Sequence, residues 1–294
     1  MNIYKDITLL IVSFKSDNAI QKILHNLGKN FKIIICENSN NLEFKNKIEN
    51  KFPHCEIFLT GENLGVSKAV NIGLKRIKTK YAIFLTPDTL PQKNCFKKLY
   101  KIANSSDDIA IVAPRNLSIK LNKSFGYFSK FSTKKNDQFI FNEKYINVDW
   151  VFGCAMLFNM KNILRVGFFD ENFFLDFEEI DLCFRLREKN YKIILSFDSL
   201  IISEPQKSVE TCNDHNLRMQ RMWHFGWSSF YFYKKHYGFY LSFLKTGKVF
   251  SVNFLKMIYH LIFLNKNTSL NYIYYFCGYF SSVLGYRSYL RKSL

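Results

Sequence analysis

Five short apolar runs, the first four each closed by a polar corner and followed by a helical stripe, restrict this chain more than any other feature. The runs are Ile7–Val12, Lys32–Ile35, Glu56–Leu59, Tyr81–Leu85 and Ile109–Val112. Ile7–Val12 reads as a strand covered on both faces. Between the runs, Asp17 stands as an N-cap before a stripe of Ile20, Ile23, Leu24 and Leu27. Further helices are predicted at Leu42–Lys51, Ser67–Lys78 and Gln92–Ala103. Strands alternating with helices predict an α/β fold: a mostly parallel central sheet flanked by helices, with right-handed crossovers.

Each of the first four strands hands over to polar residues at its carboxyl end: Ser13, Glu37-Asn38, Asn63 and Asp88. Ligands of open α/β sheets bind at that edge. Ordinary turn chemistry uses the same residue types, but four such corners in succession favour a site. The chain has neither G-x-G-x-x-G nor G-x-x-x-x-G-K-[ST], which disfavours a Rossmann dinucleotide site and a P-loop.

The densest chemistry lies in Val166–Tyr191, VGFFDENFFLDFEEIDLCFRLREKNY. Asp170, Glu171, Asp176, Glu178, Glu179 and Asp181 are interleaved with phenylalanines, in a chain of net charge +18. Carboxylates held among apolar rings lose solvation, their pKa rises, and they become suited to general-base work. From Glu178 the period is helical, with Ile180, Cys183 and Phe184 on one face. The competing reading is an acidic first turn facing a helix dipole.

Residues 116–147 are polar and irregular and read as hairpins or a loop. Asp149–Asn159, DWVFGCAMLFN, reads as a strand with Gly153 inside it, by a bulge or a close approach. Lys192–Leu195 reads as a short strand, followed by a loop through Ser203-Glu204-Pro205. Composition changes near residue 213, giving a catalytic domain over 1–212 and an aromatic, basic helical region over 213–294. The seven cysteines form no C-x-x-C pair, so reduced thiols in the cytoplasm are the simplest expectation. No leader pattern and no spanning apolar stretch is expected. The C-terminal mixture of Phe, Tyr, Leu and Lys/Arg suits helices on an anionic membrane surface, equally with helices packed on the sheet or forming a homodimer interface. The basic residues are dispersed and match no nucleic-acid-binding signature, so no nucleic-acid partner is expected.

The order of motifs resembles family 2 glycosyltransferases of the GT-A fold, in the bacterial rhamnosyltransferase-like branch that builds surface polysaccharides. Four pieces carry the resemblance: IVSF in the first strand, ENLGVSKAVNIG at Glu62–Gly73, LTPDT at Leu85–Thr89, and the acidic stretch. It covers about residues 5–240. The resemblance implies that Ser13 and Glu37 lie by the nucleotide base and ribose, and that Asn63, Gly65, Lys68 and Asn71 line the nucleotide-sugar site. Asp88 matches the metal-binding aspartate, with Thr86 where the family has Asp or Asn. Glu179 stands at the catalytic aspartate of the family's E-D pair. Trp150, Gly153 and Glu178 fall on the acceptor side. The family often has a histidine ligand after the strand that follows the acidic helix; here Glu204 is the substitute oxygen ligand, or that ligand is absent.

The implied function is an inverting transfer from a UDP- or dTDP-sugar, dTDP-rhamnose among them, to a hydroxyl of a surface glycan or lipid-linked acceptor. Mg²⁺ or Mn²⁺ would neutralise the diphosphate. The implied location is the cytoplasm, peripheral on the inner face of the cell membrane. The T-P-D and E-E departures leave one alternative, a catalytically silent membrane-bound scaffold of the same fold.

Overall fold

A computed structural model describes residues 3–118, 125–126, 141–142, 144–203, 209, 214–263 and 266–290. In chain order the elements are α1 (Ile3–Asp6), β1 (Ile7–Ser13), α2 (Asp17–Leu27), β2 (Lys32–Glu37), α3 (Leu42–Lys51), β3 (Cys55–Leu59), α4 (Val66–Leu74), β4 (Tyr81–Leu85), β5 (Thr89–Pro91), α5 (Cys95–Ala103) and β6 (Ile109–Asn116). Then come β7 (Phe125–Gly126), β8 (Phe141–Asn142), β9 (Tyr145–Asn147), β10 (Trp150–Val151), β11 (Ala155–Asn159), α6 (Met160–Val166), α7 (Glu178–Glu188), β12 (Lys192–Ser203), α8 (Asp214–Tyr237), α9 (Phe239–Ile262) and α10 (Lys266–Val283). Two compact units result: Met1–Phe169 with Glu179–Glu210, and Asp170–Glu178 with Thr211–Leu294.

The first unit is built on a sheet of order β3-β2-β1-β4-β11-β6-β12-β9-β8, with β5 paired to β12. β1, β2, β3, β4, β6 and β12 run one way and β11 alone opposes them among the long strands, so the sheet is mixed and mostly parallel. The two-residue side-chain period of a strand divides the core. Leu9, Ile11, Ile33 and Ile35 face Ile20 and Leu24 of α2, Ile48 of α3 and Leu99 of α5. Leu10 and Ile34 face Val70 and Leu74 of α4, Ile163 of α6 and Leu182 of α7.

Four details differ from the sequence reading. The strand expected over Asp149–Asn159 is split at Phe152–Cys154, and its second half, β11, enters antiparallel between β4 and β6. Gln92 does not open a helix: its N–H donates to Leu200 O at 2.9 Å, and β5 stays extended through Pro91. The strand at Lys192 runs on to Ser203 through an irregularity between Ser196 and Leu200. There Ser196 Oγ accepts from Ser199 N at 3.2 Å and donates to Ser199 Oγ, which satisfies the turn-like residues inside the strand. On α7 the buried residues are Asp181, Leu182, Cys183 and Leu186; of the expected Ile180, Cys183 and Phe184, Cys183 is buried and the other two are half-buried.

In the second unit α8 and α10 cross at two glycines. A Cβ on Gly226 would meet Tyr275 O, and one on Gly278 would meet Trp223 O, so the helix backbones touch. Phe230, Tyr275, Phe276 and Tyr279 fill the core there. Residues 170–178 run along α8. Asp170 Oδ2 accepts from Lys235 Nζ at 2.8 Å and Tyr231 OH at 3.1 Å, and Ser228 Oγ donates to Leu175 O at 2.9 Å. Phe174 stacks on His224, and Phe177 lies against Phe225 and Phe232. Among the described residues no helix is long and apolar enough to cross a membrane.

Candidate active site

The strands that share a direction end together. In register, Ser13 of β1 lies beside Glu37 of β2, Glu37 beside Leu59 of β3, Leu85 of β4 beside Ala155 of β11, and Asn116 of β6 beside Ile201 of β12. This places the polar corners of the sequence along one edge of the sheet, where open α/β sheets bind ligands.

Ser13 is buried and its Oγ has no hydrogen-bond partner among the described residues. Glu37 is also buried, but its carboxylate turns back on its own corner, accepting from Ser39 N at 3.0 Å, the Ser39 hydroxyl and Asn41 N at 2.8 Å. Asn41 in turn caps α3 by accepting from Phe44 N at 2.9 Å. Asn38, which the resemblance left without a role, ties the neighbouring corner. It accepts from Leu64 N and Thr60 Oγ1, each at 3.0 Å, and donates to Asn63 Oδ1 at 3.1 Å. Asn63 Oδ1 also accepts from Gly65 N at 3.1 Å.

Gly65 precedes α4 with φ 81°, a conformation that glycine adopts without cost. No side chain caps this helix, so the positive end of its dipole is left without a side-chain partner. Ser67, in the first turn, is buried with an Oγ that lacks a partner among the described residues, and Lys68 beside it is exposed. Asn71 is turned elsewhere: it donates to Phe169 O at 2.9 Å and accepts from Phe169 N at 3.1 Å, pinning the chain after α6.

The turn after β4 is tied to one carbonyl. Thr86 N donates to Cys154 O at 3.0 Å, Thr89 Oγ1 donates to it at 3.3 Å, and the Thr86 and Thr89 hydroxyls share a 2.8 Å hydrogen bond. Asp88, half-buried in this turn, is close enough for its charge to act on Cys154. Burial chiefly pushes that thiol up to about 12, and the Asp88 charge pushes the same way. Asn116 and Ser203, at the ends of β6 and β12, are buried and hydrogen-bonded to each other, and Asn116 also donates to Cys154 Sγ. The sequence reading passed over both; the signal available was their place at carboxyl ends of strands. Glu204 lies outside the described residues.

Gly153 precedes Cys154 and faces the acidic helix. A Cβ there would lie 3.6 Å from Glu179 Cδ and 3.7 Å from its Cβ and Cγ. Glu179 is half-buried in the first turn of α7, as are Trp150 on β10 and Glu178. Buried Asp149 pairs with Arg187 of the same helix. Asp181, fully buried, is paired with Arg185 at 2.8 Å, and the Arg185 guanidinium donates to the carbonyls of Val166, Gly167 and Phe168. Asp181 is therefore a clamp residue, and Glu179 is the carboxylate presented toward Gly153.

Among the described residues no three His, Cys, Asp or Glu side chains gather into a metal cage. Mg²⁺ keeps one or two protein carboxylates and takes its other oxygens from substrate phosphates and water. A single half-buried aspartate at the ligand edge, Asp88, fits an ion that arrives with a diphosphate.

The family model of glycosyl transferase family 2 matches residues 8–165, more than half of the chain. A low-salt glycan biosynthesis hexosyltransferase, Agl10 of Haloferax volcanii, is 25% identical over 205 residues, covering 64% of each chain; this chain thus spans less than two thirds of that relative. Rhamnosyltransferase WbbL of Escherichia coli K12 is 25% identical over 203 residues, 60% of this chain and 75% of that one. The mannosyltransferase PcManGT of Pyrobaculum calidifontis, solved with GDP-Man and Mn²⁺, superposes with TM-score 0.57 at 11% identity, covering 95% of this chain and 87% of its own. GalNAc-T7, solved with UDP, GalNAc and Mn²⁺, gives TM-score 0.55 at 11% identity over 77% of this chain and 49% of its own. The fold is GT-A, and the chain belongs to glycosyl transferase family 2, similar to its rhamnosyltransferase-like members.

Proposed function

We propose that this glycosyltransferase inverts the anomeric centre as it moves a sugar from a UDP- or dTDP-sugar to a hydroxyl of a bacterial surface-glycan or lipid-linked acceptor. dTDP-rhamnose is the first donor to test, because a rhamnosyltransferase is among the relatives. One observation carries the reading. The Asp88 turn is hydrogen-bonded to Cys154, while Gly153, one residue earlier, faces Glu179. A two-residue corner thus couples the carboxylate suited to a diphosphate-bound cation with the carboxylate suited to a base.

Ser13 and the Glu37 corner take the nucleoside. The uncapped start of α4, with Gly65, Ser67 and Lys68, meets the negative diphosphate. Asp88 would hold Mg²⁺ or Mn²⁺, which would neutralise charge on the leaving group. Glu179 accepts the proton of the acceptor hydroxyl as that oxygen bonds to the anomeric carbon. The bond from that carbon to the diphosphate oxygen breaks on the opposite face, and the nucleoside diphosphate departs. Trp150 and Gly153 border the acceptor side. Asn63, through Gly65, and Asn71, through the Phe169 backbone, support the nucleotide-sugar site.

The acceptor is met at the cytoplasmic face of an anionic membrane, a reading supported by the surplus of Lys and Arg and by the aromatic C-terminal helices. The test is nucleotide release from a panel of UDP-, dTDP- and GDP-sugars with Mn²⁺ or Mg²⁺. Turnover of one UDP- or dTDP-sugar that stops in EDTA is the expected result. Silence across the panel, with and without glycan acceptors, would favour the scaffold alternative.

A further inference from the structure

Helix α9 turns Phe250 and Met257 onto the core of the unit, but its buried positions are polar and most of its apolar side chains face outward. Its buried residues are Ser242, Thr246 and Asn253, all polar, whereas Tyr240 is 85% exposed, Leu244 78%, Ile262 67% and Leu255 66%. Ser242 and Thr246 are satisfied within the unit. Ser242 Oγ donates to Gly238 O and Thr246 Oγ1 to Ser242 O, each at 2.7 Å, while Thr246 Oγ1 shares a 2.8 Å hydrogen bond with Tyr279 OH of α10. Asn253, also buried, lies on the side of the helix that faces Tyr275 of α10. Outward, Leu241, Leu244, Val252, Leu255, Tyr259 and Ile262 recur at helical spacing as one exposed stripe.

In water this arrangement is unfavourable, because large contiguous apolar surface is left exposed. Where hydrocarbon is the outer solvent the preference reverses: polar side chains join helices and apolar ones face outward. Exposed Lys245, Lys248 and Lys256 punctuate the stripe, and their stems allow the ammonium groups to reach a headgroup layer. From His215 to Leu294 the sequence has eleven Lys and Arg and no Asp or Glu. A second copy of the face would bring lysines against lysines with no acid in the segment to receive them. An anionic lipid surface supplies the missing charge and the missing apolar solvent together.

We propose that α9 is an interfacial membrane helix, lying in the plane of an anionic leaflet with its Leu241–Ile262 stripe among the acyl chains. The proposal builds on the membrane-surface reading above and identifies the element that enters lipid. It requires no sugar transfer to be observed, so its outcome is separate from that of the donor panel.

The experiment is flotation of the full chain with phosphatidylcholine vesicles, with and without phosphatidylglycerol, at low and high salt. Two variants are run beside it: Leu244→Ser with Leu255→Ser, and Lys245→Gln with Lys248→Gln and Lys256→Gln. All five substituted sites are exposed, and far-UV circular dichroism checks that both variants keep the fold. The expected result is flotation with the anionic vesicles at low salt, with partitioning reduced about tenfold or more in either variant, in line with typical contributions of buried apolar and basic groups. The proposal is overturned if the full chain stays unbound on anionic vesicles at low salt, or if the serine variant floats like the parent. It is equally overturned if the serine changes convert a solution dimer to a monomer while leaving flotation unaltered.

Discussion

Gly153 lies flat against Glu179: a methyl group built on its Cα would stand 3.6 Å from the Glu179 carboxyl carbon. That spacing is ordinary van der Waals contact, so Gly153→Ala should leave transfer within a few-fold of the parent. Gly153→Leu cannot be seated without displacing the carboxylate. Turnover should fall by about 10²-fold, the scale on which misplacing a reacting group is felt, with the circular dichroism spectrum unchanged. Equal activity in both variants would remove Glu179 from that face.

Asp88 sits in a turn whose threonine hydroxyls and N–H groups are already committed to Cys154 O and to each other. Asp88→Asn should therefore keep the turn and lose the cation. Nucleotide affinity in Mn²⁺ should drop toward the value measured in EDTA, as read by titration calorimetry. Full activity in excess EDTA would instead give the neutralising role to Lys68 and the start of α4.

Arg185 joins α7 to the segment after α6 through Asp181 and three carbonyls. Arg185→Met leaves Asp181 buried without its cation, and breaking a buried pair in this way costs about 3–5 kcal/mol. Thermal or urea denaturation should register the loss. A shift below 1 kcal/mol, about the worth of an exposed pair, would show that the clamp is dispensable.

Asp176, three residues before Glu179, has φ 64° and is followed by Phe177 at φ 70°, two consecutive left-handed residues without glycine. Burial pushes its carboxyl up to about 6, with Arg221 pulling the other way. The folded chain therefore holds this proton more tightly than the unfolded one, whose aspartate titrates near 3.9. The stability contribution is present below about pH 4 and is lost as pH rises through about 6. Asp176→Asn should flatten the stability profile across that window, and an unaltered profile would assign the slope to another group.

Much of the fold was legible because β1 to β4 repeat one physical pattern: an apolar run, a polar corner, a helix with one apolar stripe. The helix that ends the acidic stretch was equally legible, since the period is helical from Glu178. What escaped depended on partners distant in sequence. Nothing local in DWVFGCAMLFN says that Ala155–Asn159 will run against β4, and SFDS looks like a turn until Ser196 and Ser199 satisfy each other inside β12. The role of Arg185 depends on carbonyls 17 to 19 residues away. Asn71 matched a nucleotide-site motif, yet its amide is taken up by the Phe169 backbone. In α9 the composition suggested an amphipathic helix, but only packing against α10 shows that Ser242, Thr246 and Asn253 turn inward.

The central claim is that Glu179 takes the acceptor proton. The direct measurement is steady-state transfer by Glu179→Gln, which keeps the shape and removes the basicity, with donor affinity measured in parallel. Turnover should fall about 10²–10⁴-fold, the usual contribution of a general base, while nucleotide-sugar binding stays within a few-fold of the parent. Near-parental turnover in that variant would contradict the assignment and pass the role to Glu178.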